Sequence, residues 1–364
     1  MFSLLLSLLV SSFQDSNSSL VIQELPGIES TKSRSSLSYS ENRLTEPKLS
    51  PKQHWPFDWL VYGSGKKDDD SGWERRLRVY AQSRNPDHDL LIPIARMAMR
   101  LWEYNVESLK LDHAYAYNNR TVDIYLCDGG PASGEQLFGE ETINNASVKV
   151  NTIYIYDIRS LTNPLEVARE VAHEYGHATL PPIGGFSEPE GWVSGSLGEH
   201  LYLLWMRDRM KSKQLMEGDA AGVSFQKLDA WVGSHVDPLV LTAATSGPRI
   251  ALLKKNTAAA YDAYLGLALY ARTILPDEAF SRSLKLTGST LAKDYPAAII
   301  SAVEEAAPLT LKIPSSLIGR SIWIPVGTCR LQNAASLVQS QGWVKVKAKS
   351  ANLKIRLSSD SRHE

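Results

Sequence analysis

The stretch 163–177 restricts this chain more than any other. Asn163 stands before Pro164 and Glu166 follows three positions later, a pattern that starts a helix with proline in its first turn. Leu165, Ala168, Val171, Ala172 and Tyr175 then recur at helical spacing, so one face of that helix must be buried. His173 and His177 are four positions apart, which places them one turn apart on a common face. Both imidazoles can therefore reach one tetrahedral ion, and a single catalytic zinc is expected there. Glu174, at the adjacent position, is not a ligand. It can bring its carboxylate to the open coordination site, accept a proton from water as general base and return it to a leaving amine. The pattern HExxH arises by chance in roughly one chain in a hundred of this length, so its place on a well-started helix behind two strands matters as much as the letters.

The rest of the chain bounds what can surround that helix. With 364 residues and 43% hydrophobic composition, a sizeable catalytic core plus a smaller accessory unit is the expectation. Lys and Arg number 39 against 40 Asp and Glu, so no nucleic-acid partner is indicated. The only cysteines, Cys127 and Cys329, form neither a disulfide framework nor a paired-cysteine zinc site, and a bond between them is unforced. No later stretch approaches eighteen unbroken apolar residues, so no integral membrane segment is expected. Residues 1–13 read as a short apolar signal peptide, although no positive charge opens it, and imply a secreted or cell-envelope protein. Residues 14–52, rich in Ser and charge, read as a disordered linker, and order is expected to begin with Trp55, Phe57, Trp59 and Trp73.

Helical spacing predicts a core helix over 90–109 with Ile94, Met97, Ala98, Leu101 and Trp102 inward, and further helices over 191–210, 257–273 and 295–307. Strands are predicted at 121–126 and 152–158, ahead of the histidine helix. Period-two alternation over 309–313, 321–326, 343–349 and 353–357 marks a β-rich tail. The fold class expected is α+β, with a catalytic domain over 53–308 and a small β-rich domain over 309–364.

The order of a core helix, two strands and a helix carrying His173-Glu174-Tyr175-Gly176-His177 resembles the zincin superfamily of metallopeptidases across roughly 55–308. A metzincin would place a third histidine six positions after His177, where Ile183 stands, and a glycine where Leu180 stands. The resemblance is to the gluzincin branch, which implies a glutamate ligand on the following helix. Glu199, twenty-two positions past His177, fits that spacing. The small residues Gly191, Ser194, Gly195 and Gly198 beside it would let the two helices approach closely. Glu190, followed by Gly191 and Trp192, is the rival ligand, although Ser187 and Glu190 also form a capping box. The loop 181–186 is expected to wall a cleft, with Phe186 a candidate substrate contact. The resemblance implies hydrolysis of a peptide or protein substrate by zinc-activated water. The alternative is a zincin-fold binding or assembly module without turnover.

A tetrahedral oxyanion needs a donor outside the metal shell, and His235, Tyr202, Tyr261 and Tyr264 are candidates. His200 should point away from the ion, because consecutive helix residues diverge by about 100°. On the tail, Lys345, Lys347, Lys349, Lys354 and Arg356 form a basic face that could hold an anionic surface polymer, although lysines on a solvated or edge strand chiefly guard against aggregation.

Overall fold

The computed structural model describes residues 28–30, 57–64, 75–82, 88–111, 121–130, 134–143, 146–161, 163–180, 191–249, 258–287, 295–332 and 336–356. The expected signal peptide, the loop 181–186 and Glu190 lie outside them. The chain is α+β with a β-rich C-terminal region. It forms two compact units, one of residues 1–95 and 119–162, the other of 96–118 and 163–364. The C-terminal strands belong to the same unit as the histidine helix. No helix among the described residues is long and apolar enough to cross a membrane.

The first unit is built on a six-stranded sheet of order β1-β2-β3-β4-β6-β5. Its strands are β1 (Ile28–Ser30), β2 (Phe57–Ser64), β3 (Arg75–Gln82), β4 (Thr121–Leu126), β5 (Gly134–Ile143) and β6 (Ala146–Ile155). The centre is parallel: β3 pairs with β4 and β4 with β6, while β2 and β5 flank them antiparallel. Register places Tyr80 opposite Tyr125 and Tyr125 opposite Tyr154. The three rings stack at 4.3 and 5.2 Å, a buried aromatic row that pins the register. Ile28–Ser30, inside the stretch expected to be disordered, adds a strand at the sheet edge. Cys127 and Cys329 are both free and buried.

Eight α-helices lie among the described residues, seven of them wholly in the second unit. Helix α1 (His88–Glu103) leads into it, with Ile94, Met97, Ala98, Leu101 and Trp102 buried as the spacing required. It then widens into a π turn over Tyr104–Ser108, where a straight helix to residue 109 was expected. Helix α2 (Pro164–Thr179) begins where its sequence says: Asn163 accepts the Leu165 N–H at 3.1 Å. Helix α3 (Gly191–Lys211) follows, then α4 (Phe225–His235), α5 (Asp237–Ser246), α6 (Ala258–Ile274), α7 (Asp277–Thr287) and α8 (Tyr295–Ala306).

The tail contributes β7 (Leu309–Lys312), β8 (Ser321–Pro325), β9 (Arg330–Gln332), β10 (Ser336–Ser340), β11 (Trp343–Lys347) and β12 (Asn352–Arg356). They make two three-stranded sheets, β10-β11-β8 and β7-β12-β9. Strands β11 and β12, adjacent in sequence, therefore do not form a hairpin, and the single basic face read across 345–356 is split between two sheets.

Candidate metal centre

Helices α2 and α3 touch backbone to backbone. A Cβ built on Gly198 would lie 2.4 Å from Cα of Gly176 and 2.8 Å from the Ala172 carbonyl oxygen, and one on Gly176 would lie 2.5 Å from the Ser194 carbonyl oxygen. The small residues Ser194, Gly195 and Gly198 are what allow that approach, as the sequence implied. Their partner is Gly176, the fourth residue of the His173–His177 run.

The close approach brings side chains of α3 against the histidine rings. Nε2 of His173 and Nε2 of His177 face each other at 3.1 Å. The opposite nitrogens are held from α3: Nδ1 of His177 meets the Ser194 hydroxyl at 3.2 Å, and Nδ1 of His173 meets Oε2 of Glu199 at 3.6 Å. The latter is long for a hydrogen bond but short for a charge contact. A proton drawn to each Nδ1 leaves the lone pair on each Nε2. Two lone pairs at 3.1 Å repel unless one ring protonates or a cation lies between them.

The space between the rings fits an ion. Two zinc–nitrogen bonds of about 2.0–2.1 Å at a tetrahedral angle put the nitrogens roughly 3.3 Å apart, near the separation present. Gly195 supplies the room: a Cβ there would stand 2.3 Å from Nε2 of His177 and 2.6 Å from Nε2 of His173, which is where a shared ion would sit. Gly195→Ala should therefore keep the fold, since the imidazole ends can yield, and weaken zinc binding about a hundredfold or more. Zinc stoichiometry after dialysis checks this, and a fully loaded variant would refute it.

Glu174 is 4% exposed, and its carboxylate joins the two histidines in a group whose ligand atoms lie within 4.8 Å of one another. Glu199, 8% exposed, is elsewhere. It touches the pair through Nδ1 of His173, and its Oε1 is bound to Arg169 at 2.6 Å. A carboxylate at this distance from Nδ1 can orient the His173 ring from behind. Burial opposes its charge, but His173 and Arg169 hold its pKa below the ordinary value. Burial likewise opposes protonation of His173, yet Glu199, Glu174 and Glu170 raise its pKa.

Neither a protein-family profile nor a curated protein matches this chain.

Arg169 escaped the sequence reading, although it lies four positions before His173 on the same helix, the spacing that shares a face. Its guanidinium also sits 5.4 Å over the Trp231 ring, which stacks on His235 at 4.9 Å. His235 is exposed and bonded through Nδ1 to the Ser234 hydroxyl and toward the Trp231 carbonyl within its own helix.

The other oxyanion candidates separate clearly. Tyr202 is fully buried, its hydroxyl bonded to Asn105 at 2.8 Å and to Thr179 at 2.9 Å, so it is a core residue. Tyr264 is also fully buried, with its ring 5.3 Å from Tyr295. Tyr261, on α6, is hydrogen-bonded to the Ser196 side chain and feels the charge of Glu199; burial raises its pKa most. His200 turns back to the Ser196 carbonyl at 2.8 Å, consistent with its expected divergence from the site.

Proposed function

We propose that this chain is a zinc-dependent peptidase of zincin-type architecture, acting on a peptide or protein substrate. The observation that carries the reading is the Nε2 pair at 3.1 Å beside the buried Glu174 carboxylate, with a glycine at the position that would otherwise fill the space between the rings. His173 and His177 would hold the ion. When bound, zinc would polarise the scissile carbonyl and acidify a water molecule.

Glu174 accepts the proton given up by the attacking water and passes it to the leaving amine. Glu199, clamped by Arg169, and Ser194 keep the two rings turned so that both Nε2 atoms converge. Tyr261 is the candidate positioned to donate to the oxyanion, because its hydroxyl already reaches Ser196, the residue after Gly195.

The reading is tested on unstructured peptide substrates. Cleavage should disappear on treatment with a chelator and return with about one equivalent of zinc per chain. Cleavage that survives complete removal of metal would defeat it.

A further inference from the structure

The outward face of the sheet β7-β12-β9 carries four cations and no carboxylate among the described residues. Burial alternates along β7 and β12, so Leu309, Leu311, Leu353 and Ile355 point inward while Lys312, Lys354 and Arg356 are exposed. Register sets Arg356 directly opposite Arg330 on β9, and Lys354 between Thr310 and Gln332. None of Lys312, Arg330, Lys354 and Arg356 has an ion-pair partner among the described residues.

Two features set this face apart from an ordinary solvated one. Lysines guard exposed sheet edges against pairing with other chains, but β12 is the central strand of its sheet, hydrogen-bonded on both sides. Lys354 and Arg356 have no edge to guard. Like charges directly opposite across two strands also destabilise the pair, and Arg330 faces Arg356 with no carboxylate paired to either among the described residues. The other sheet differs: Lys345 on β11 is half-buried and lies 5.8 Å over the Trp323 ring.

The track continues beyond the sheet. Lys312, at the end of β7, also lines a cleft of about 540 Å³ shared with Arg209, Arg272 and Trp205. The cleft's Asp277 is engaged by Arg272 at 3.2 Å and its Asp208 by Arg207 at 3.1 Å. Among the described residues, the Arg209 guanidinium donates to the neutral Gln214 side chain, and it covers the Trp205 ring at 5.9 Å. From the cleft, positive charge runs through Lys312 to Lys354 and on to the Arg356 and Arg330 pair. Steps along β12 are about 7 Å per two residues and the step across to β9 about 5 Å.

We propose that this face binds an acidic polysaccharide, laid along β12 with its chain end at the Lys312 cleft. A polymer carrying carboxylates or sulfates along its length complements this row of cations. The interleaved Thr310, Asn352 and Gln332 side chains offer hydroxyl and amide groups to sugar hydroxyls. Single-stranded nucleic acid would call for aromatic stacking platforms, and the described outward residues of the three strands include none. The proposal is independent of the metal centre.

The test uses the full chain and two probes, polygalacturonate and an oligo-deoxythymidylate of equal charge, titrated by calorimetry across a salt series. The triple exchange Arg330→Gln, Lys354→Gln and Arg356→Gln is expected to weaken polygalacturonate binding at least about tenfold and to flatten its salt dependence, since fewer counterions are released. The charge-matched control Lys110→Gln, Lys227→Gln and Lys347→Gln, placed at exposed sites outside both the track and the cleft, should leave both unchanged. The melting temperature of the first variant should be no lower than that of the wild type, because a repulsive pair has been removed. Should it fold poorly, Arg330→Gln alone gives the same direction at smaller amplitude. Equal binding by the two triple variants, or tighter binding of the oligonucleotide than of polygalacturonate, overturns the assignment.

Discussion

Glu174→Gln is expected to bind zinc as the wild type does and to cleave peptides about a thousandfold more slowly. The amide is nearly isosteric with the carboxylate, so the pocket that holds this 4% exposed side chain should accept it. What it cannot do is take a proton. His173 and His177 do not depend on Glu174 for their orientation, because Glu199 and Ser194 hold their Nδ1 atoms from the neighbouring helix. Metal content and turnover should therefore separate in this variant. The check is paired, with zinc per chain by elemental analysis and kcat/KM on an unstructured peptide. Turnover within tenfold of wild type at full zinc occupancy would remove Glu174 from the chemistry.

Gly198→Ala should lower the melting temperature by on the order of 10 °C, although alanine is ordinarily the better helix former by up to about 1 kcal/mol. The propensity gain loses because the new methyl meets backbone and not a flexible side-chain end. Its Cβ would fall 2.4 Å from Cα of Gly176 and 2.8 Å from the Ala172 carbonyl oxygen, and relief requires the two helices to part. Overpacking of this kind costs about 3 kcal/mol. A helix shift also withdraws Glu199 and Ser194 from the histidines, so zinc affinity should fall together with stability. Thermal unfolding by circular dichroism decides the matter; an unchanged or raised midpoint would mean that the helices are not in backbone contact. The contrast with Gly195→Ala is informative, since there the added methyl meets only imidazole ends and metal binding alone should suffer.

Much of the helical unit was legible because its signals are local. Asn163, Pro164 and Glu166 fixed the start of α2 through capping chemistry that needs no partner elsewhere in the chain. The strand 121–126 was found at its ends because an apolar run stops at turn residues. The short helices α4, α5 and α7 were missed: each is only 10 or 11 residues long and has too few turns for periodicity to stand out. Strands β1, β2, β3 and β5 were also missed, since strands of a mixed sheet are chosen by their neighbours more than by their own pattern.

Within the site, the pair His173 and His177 follows from helix geometry alone, and so does the adjacency of Glu174. The role of Glu199 does not. Spacing along the chain shows that a carboxylate can arrive near the histidines, but which nitrogen it meets depends on how far α3 is rotated and how closely it is seated on α2. That seating is set by Gly176 against Gly198, a contact between backbones twenty-two residues apart. The same limit applies to the tail. Alternation told which residues of β11 and β12 face outward, whereas only strand pairing decided that these two strands lie in different sheets and that Arg356 faces Arg330. Periodicity reports a side chain's direction relative to its own element, and pairing or helix rotation is fixed by contacts between residues distant in sequence.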